Sequence, residues 1–391
     1  METTATIASP RLRDESIYLA QASSTGETAG TASSQPREVN GAWGGWRSRF
    51  VRELPNGSIA FDGRNNRAPS EGMGYGMYIA LQTGDQGTFN SLLNGLSYFS
   101  KPNNLFYAYV TSEGNMPARS DAIRNPDASA ADADIYIASS LIQAHNLVVR
   151  GRWTAPQGAS YLQRAQQIMN AIWENDIIER GGRLIIKPSD HDWPVWGDGR
   201  VAYNPSYFAP AMLRFFASHD SNPAHNWNKV IQDGYDLMNV IMENSSSLDP
   251  KGQNPIPDWV LVSASGGNFR VESYNRITPD NEYDAIRVPI EIGRDAILNG
   301  DRRAVDFLRR FVNEANVRDN NSVKVGGWSN EIAWSCYGVA VRGAGDPRNT
   351  LQSFRGSVRS SFHEDYFGFS QNDANDYYKQ SVVLLASMLL F

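Results

Sequence analysis

Three short stretches place acidic side chains beside the residue types that could make them work. The first is Ser70-Glu71-Gly72-Met73-Gly74-Tyr75-Gly76-Met77, where a carboxyl sits among glycines that let a backbone or a ligand come close. Its spacing is G-x-G-x-G rather than G-x-G-x-x-G and no strand pattern precedes it, so a nucleotide-phosphate loop is set aside. Glu71 could equally complement the dipole of a helix capped by Ser70. The second stretch is Ala131-Asp132-Ala133-Asp134, leading into Ile135-Tyr136-Ile137-Ala138. Carboxylates two apart point to different sides of a helix, so at most one of the pair serves a given site. The third is Tyr283-Asp284-Ala285-Ile286-Arg287-Val288-Pro289. Arg287, one turn after Asp284, can keep that carboxylate ionised and oriented, as a base acting on water requires. A surface ion pair would use the same two residues.

The elements that must hold these residues are helices. Trp43, Trp46, Phe50 and Val51 fall at helical spacing, and so do Asp132 to Ile142, Tyr161 to Trp173, Trp227 to Ile241, Ala304 to Val312 and Tyr377 to Phe391. The pattern predicts roughly eleven or twelve helices in all. Leu184-Ile185-Ile186 and Val260-Leu261-Val262 are the best strand candidates, and the strand–helix alternation of a parallel sheet is absent. The loops between helices are rich in Gly, Pro, Asn and Asp but also carry large aromatics, as in His191-Asp192-Trp193-Pro194-Val195-Trp196 and Pro257-Asp258-Trp259. Long loops of that kind inside a compact domain are usually functional.

Composition narrows the function. The net charge of −6, with no dense Lys/Arg cluster, argues against a nucleic-acid partner. The longest apolar run, near Val382 to Phe391, is about half the length of a membrane span. Ten Trp and 17 Tyr suit either a large aromatic core or flat faces for sugar rings. The single cysteine, Cys336, excludes an intramolecular disulfide and lies in an apolar stretch that reads as buried filler. The five histidines show no paired metal-ligand spacing, so no metal or other cofactor is expected. Asp190-His191-Asp192 reads as a hydrogen-bonded loop before a cation site. Residues 1–36, rich in Thr, Ser, Ala and Gly, read as a flexible leader, and 37–391 as one folded domain.

Taken together, the three acidic stretches resemble glycoside hydrolase family 8, as do Asn204-Pro205-Ser206-Tyr207-Phe208-Ala209-Pro210 and Asp376-Tyr377-Tyr378. The resemblance spans roughly residues 43 to 391, with its five motifs in the family's order. It departs from the family pattern at Ala130-Ala131, at Val148, at Ala68-Pro69 and in Leu105 to Tyr109, which lacks the usual Trp. The resemblance implies an all-α (α/α)6 barrel and an inverting hydrolase. It places the general acid at Glu71, the general base at Asp284, and a carboxylate holding the central sugar at Asp132. It implies substrate contacts from Tyr283, Arg287, Tyr377 and Tyr378, and Tyr75, Tyr203, Trp193 and Trp196 are further candidates.

The nearest branch is the endoglucanase side, so the expected partner is a β-1,4-glucan, with xylan, lichenan or chitosan as alternatives. A non-catalytic carbohydrate-binding protein is the rival of another class. A monomer is expected, with no membrane or nucleic-acid partner, and export is inferred from the size of the substrate. Inversion requires Glu71 protonated, so burial and nearby carboxylates, Asp132 first, must outweigh the helix dipole.

Overall fold

Two kinds of helix alternate along the chain, and their sequences say which is which. The computed structural model describes residues 35–63, 66–118, 125–191, 195, 197–248, 255–274, 284–323, 330–345 and 350–391. Among these residues, twelve helices of ten residues or more follow one another: α1 (Arg37–Phe50), α2 (Ser70–Gln82), α3 (Gln86–Gly95), α4 (Ala131–Val149), α5 (Tyr161–Asn175), α6 (Pro210–His219), α7 (Trp227–Glu243), α8 (Val288–Asn299), α9 (Arg302–Glu314), α10 (Asn330–Gly343), α11 (Thr350–Ser360) and α12 (Tyr377–Leu390). The even-numbered helices are buried nearly all round, with few charged residues: α2 is buried from Gly72 to Leu81 and α12 from Tyr377 to Ser387. A helix of that kind has no face to give to water and must sit inside. The odd-numbered ones keep one apolar stripe, such as Tyr161, Ala165, Ile168, Met169 and Ile172 of α5.

The packing follows from this difference. Helices α2, α4, α6, α8, α10 and α12 contact one another in that order, and α12 returns to α2 to close a ring. Around them, α3 packs on α2, α5 on α4, α7 on α6, α9 on α8, α11 on α10 and α1 on α12. This is an (α/α)6 barrel, with the core between the two rings. Trp43, Trp46 and Trp227 are buried in it, so part of the aromatic content serves packing. Cys336 is fully buried in α10, and burial pushes its thiol up to about 12, which makes it inert.

Short antiparallel strands decorate the loops: β1 (Val51–Leu54) with β2 (Gly57–Ala60), β3 (Arg67–Pro69) with β4 (Tyr109–Thr111), β5 (Ile177–Arg180) with β6 (Arg183–Ile186), and β7 (Val201–Tyr203) with β8 (Val260–Ser265) and β9 (Asn268–Ser273). The two expected strands lie in β6 and β8. Val51, read as the end of the first helix, instead starts β1, because the helix stops at Phe50. Gly181 and Gly182, both at positive φ, make the two-residue turn between β5 and β6. Of the segment read as a leader, residues 1–34 lie outside the described residues.

Helix capping largely follows the rings, with two exceptions: outer α1 has no side-chain cap, and inner α12 is capped by Asp376. Side chains cap the outer helices α3, α5, α7 and α9 through Asp85, Ser160, Asn226 and Asp301. No side chain caps the inner helices α2, α4, α6 and α8. Their first-turn amides and partial positive charge are left for whatever gathers there.

Candidate active site

What gathers there is acid. Glu71 and Asp132 are the second residues of α2 and α4, while Asp284 precedes and Arg287 ends the short 3-10 turn (Ala285–Arg287) that leads into α8. Closure of the inner ring brings these N-termini together around one buried guanidinium. Arg287 Nη1 donates to Glu71 Oε2 at 2.8 Å, to Tyr75 Oη at 2.7 Å and to Asp132 Oδ2 at 3.1 Å. Its Nη2 donates to Asp284 Oδ1 at 3.0 Å and to Ser206 Oγ at 2.9 Å. Arg287 is 3% exposed, so it is no surface partner of Asp284 but the hub of the site. The Tyr207 ring covers it, 5.7 Å from centroid to guanidinium carbon.

One cation faces three carboxyl groups, so full ionisation would leave two uncompensated negative charges in a largely dry place. The group that keeps its proton is Glu71. Burial, opposed by Arg287 and reinforced by Asp132 and Asp284, raises its carboxyl to about 7. Burial raises Asp132 as well, against the pull of Arg287. The side chains of Glu71 and Asp284 each keep 22% exposure, while Asp132 keeps 6%. Glu71 Oε2 is the oxygen bonded to Arg287, which leaves Oε1 for the proton. Glu71 and Asp284 bond different nitrogens of one planar group, at 2.8 and 3.0 Å. The path through the guanidinium keeps the two bonded oxygens, Glu71 Oε2 and Asp284 Oδ1, within about 8 Å of each other. The arrangement can offer a proton from one wall and accept one at the other.

Asp284 is fixed from several sides. Its Oδ2 accepts from Asn204 Nδ2 at 2.9 Å and from Trp259 Nε1 at 3.0 Å. Asp258 Oδ1 accepts from the backbone amides of Asp284 and Ala285 at 2.8 and 2.7 Å, which pins the turn carrying the base.

The structure sorts the remaining candidates. Tyr283, Trp193 and Trp196 lie outside the described residues. Tyr75, read as a substrate contact, is 2% exposed and instead accepts a hydrogen bond from Arg287 beneath the acids. Tyr203 is equally buried, its hydroxyl has no partner among the described residues, and burial alone raises its phenol, so it belongs to the core. Tyr377 and Tyr378 are buried too. The Tyr377 hydroxyl stands directly over Gly72, beside Glu71, and the Tyr378 phenol lies near Arg287.

The glycines of the first stretch serve packing rather than a ligand. A Cβ on Gly72 would lie 2.5 Å from the Tyr377 hydroxyl, and one on Gly74 would lie 2.9 Å from Tyr136 Cβ. Ser70 is not the cap either. Pro69 holds that position at the end of β3, and Ser70 donates to the Ala108 carbonyl. Asp134 turns away from the site, accepts from the Phe106 amide at 3.2 Å, and is raised well above its usual range by burial and Asp176. Asp190 is engaged by Ser129, Asn103 and Lys101, as the hydrogen-bonded loop reading requires.

Sequence reasoning gave no role to Asn204, Ser206, Tyr207, Asp258, Trp259 or Tyr109. All sit in stretches singled out for their motif, their aromatics or, for Tyr109, a departure from the family pattern, and that was the available signal. Tyr109, on β4, is 38% exposed with Arg67 over its ring at 5.4 Å. Tyr109 pairs with Pro69, two residues before Glu71, which sets this aromatic near the acids, and desolvation followed by the Glu71 charge pushes its phenol up to about 12.

Comparison with known proteins adds to this geometry. The family model described as "Glycosyl hydrolases family 8" matches residues 18–385. Endoglucanase A of Acetivibrio thermocellus is 27% identical over 349 residues, covering 88% of this chain and 63% of that protein. The chain therefore spans less than two thirds of that relative's length. The apo structure of a beta-1,3-1,4-glucanase from Paenibacillus sp. X4 superposes with a TM-score of 0.72 at 23% identity, covering 90% of each chain. Rex8A from Paenibacillus barcinonensis, solved in complex with xylose, gives a TM-score of 0.65 at 17% identity, over 92% of this chain and 94% of that one. These two likenesses concern the fold.

Proposed function

Because the chain belongs to the glycosyl hydrolases of family 8, we propose that it is an inverting endo-β-1,4-glucanase with Glu71 as general acid and Asp284 as general base. One observation carries the reading: a single guanidinium, Arg287, joins a carboxyl raised to about 7 to a second, part-exposed carboxyl through its other nitrogen.

The chemistry follows from the two walls. Glu71 gives the proton on Oε1 to the glycosidic oxygen as the C1–O bond breaks. A water held by Asp284 attacks C1 from the opposite face and passes its proton to the Asp284 carboxylate. The new C1–O bond has inverted configuration, and solvent exchange restores both groups. Asp132 holds the sugar between them in this reading, which its bond to the same Arg287 nitrogen as Glu71 supports. Tyr109 offers that sugar chain a partly exposed aromatic face. Endoglucanase and beta-glucanase names among the relatives favour a β-glucan. The xylose complex of a structural neighbour keeps xylan as the second substrate to test. Export of the chain is part of the proposal, since the polymer is too large to be taken up intact.

The test is reducing-sugar release from carboxymethylcellulose, lichenan, xylan and chitosan by the wild type, Glu71→Gln and Asp284→Asn. Activity on carboxymethylcellulose, lost in both variants while oligosaccharide binding persists, supports the assignment. Near-wild-type turnover in both variants refutes the roles. Binding without release by any form would make the protein a carbohydrate-binding relative.

A further inference from the structure

We propose that Asn204 and Trp259 are positioning residues for the base: they occupy one oxygen of Asp284 and so fix which oxygen receives the proton from water. This rests on the reading of Asp284 as base and names two residues which that reading does not require.

An ionised carboxylate has about four acceptor positions, two on each oxygen. Oδ2 of Asp284 is filled by two N–H donors, Asn204 Nδ2 at 2.9 Å and Trp259 Nε1 at 3.0 Å. Oδ1 takes one donor, Arg287 Nη2 at 3.0 Å. One acceptor position is left among the described residues, and it is on Oδ1. Without the two donors, the carboxylate could turn about its own axis and present either oxygen. With them, water has a single place to bind in line with the base.

The donors are themselves held. Asn204 is 1% exposed, and its Oδ1 accepts from the Ser206 amide at 3.0 Å and from Ser206 Oγ at 2.7 Å. Since those donors claim its oxygen, its nitrogen must be the atom that faces Asp284. Ser206 Oγ in turn accepts from the same Arg287 nitrogen that bonds Asp284, at 2.9 Å. Asp284, Asn204, Ser206 and Arg287 thus close a ring of hydrogen bonds, each member held on two sides. Trp259 has only a donor to offer, and its ring meets Tyr207 edge to face with centroids 6.2 Å apart. Tyr207 covers Arg287, so Trp259 reaches the base from a wall already tied to the hub. The three parts of the clamp come from different elements: the turn before α6, the approach to β8 and the turn before α8.

In the step concerned, water gives one proton to Asp284 Oδ1 while its oxygen bonds C1, and the leaving oxygen takes the proton of Glu71. A loosened base slows that step without weakening substrate binding. The experiment compares Asn204→Ala and Trp259→Phe with the wild type on carboxymethylcellulose and on β-cellobiosyl fluoride. Fluoride departs without a proton from Glu71, so the second substrate reports the base side alone. Both variants are expected to lose about 10- to 100-fold in kcat on both substrates, the worth of a hydrogen bond to a charged group, with KM changed less than about threefold.

Adding either substitution to Asp284→Asn is expected to cost no further activity, because the clamp acts only through that carboxylate. Turnover of the fluoride within about twofold of wild type in both variants overturns the proposal, as does a loss seen only in KM or only on the polymer. Failure of the underlying reading looks different: Asp284→Asn would then hydrolyse the fluoride at the wild-type rate. Trp259→Phe keeps the test intact should Asn204→Ala not fold.

Discussion

Asp132→Asn removes one negative charge from beside Glu71 while keeping the size of the side chain and an oxygen for Arg287 to bond. Glu71 Oε2 and Asp132 Oδ2 share Arg287 Nη1, at 2.8 and 3.1 Å. Two unit charges about 5 Å apart at an effective dielectric of about 20 repel by about 3 kcal/mol, or roughly two pH units. The shared cation and the 22% exposure of Glu71 reduce this to about one unit. The sign is fixed by the role: a proton donor fails as pH rises through its pKa, which stands at about 7. Asp132 pushes that value up, so its neutralisation must bring the alkaline limb of kcat/KM down, toward about 6. The assay is kcat/KM against pH on a soluble substrate for wild type and variant, each scaled to its own maximum because the plateau also falls. An alkaline limb that stays put, or moves up, would refute the coupling of Asp132 to the acid.

Glu71→Gln is expected to stabilise the fold at neutral pH. The folded-state pKa is raised, so wild-type stability is whole below about 4.5 and is lost as pH climbs through about 7, by up to about 3 kcal/mol. Denaturant titrations at pH 4 and pH 8 should show the gain only at pH 8, and equal gains at both would contradict it. Gly72→Ala drives a methyl to 2.5 Å from the Tyr377 hydroxyl and should cost about 1–3 kcal/mol. Adding Tyr377→Phe should restore most of that loss in thermal melts, and no recovery would mean the clash lies elsewhere. Asp134→Asn should leave the pH profile of activity unchanged, since that carboxyl, raised well above its usual range by burial, bonds the Phe106 amide away from the site. A displaced limb would show that it carries charge.

The fold was legible because the two rings carry different patterns. A stripe on an outer helix such as α7 repeats with the helical period, and an inner helix such as α12 is mostly apolar and buried on every side. What periodicity cannot express is closure of the ring, which alone joins Arg287 to Glu71 across 216 residues. The roles of Glu71, Asp132 and Asp284 therefore came from family resemblance, and the hub role of Arg287 came from the coordinates. Tyr75 and Tyr203 were misread for a similar reason. An aromatic near a motif does not reveal whether its ring faces the opening or lies under it. The alternative of Ser70 as a cap fails because β3 runs straight into α2 and takes the Ser70 amide for its pairing with the β4 side. Asn204 and Trp259 left no local signal of their task, since each acts on a side chain from another loop.

The most direct test of Glu71 and Asp284 as opposed acid and base is the configuration of the first product. Proton NMR during cleavage of a β-linked glucan oligosaccharide should show the α-anomeric signal of the new reducing end appearing first, with the β signal growing in later by mutarotation. If the β-anomer appears first, the two carboxyls do not work with a water between them.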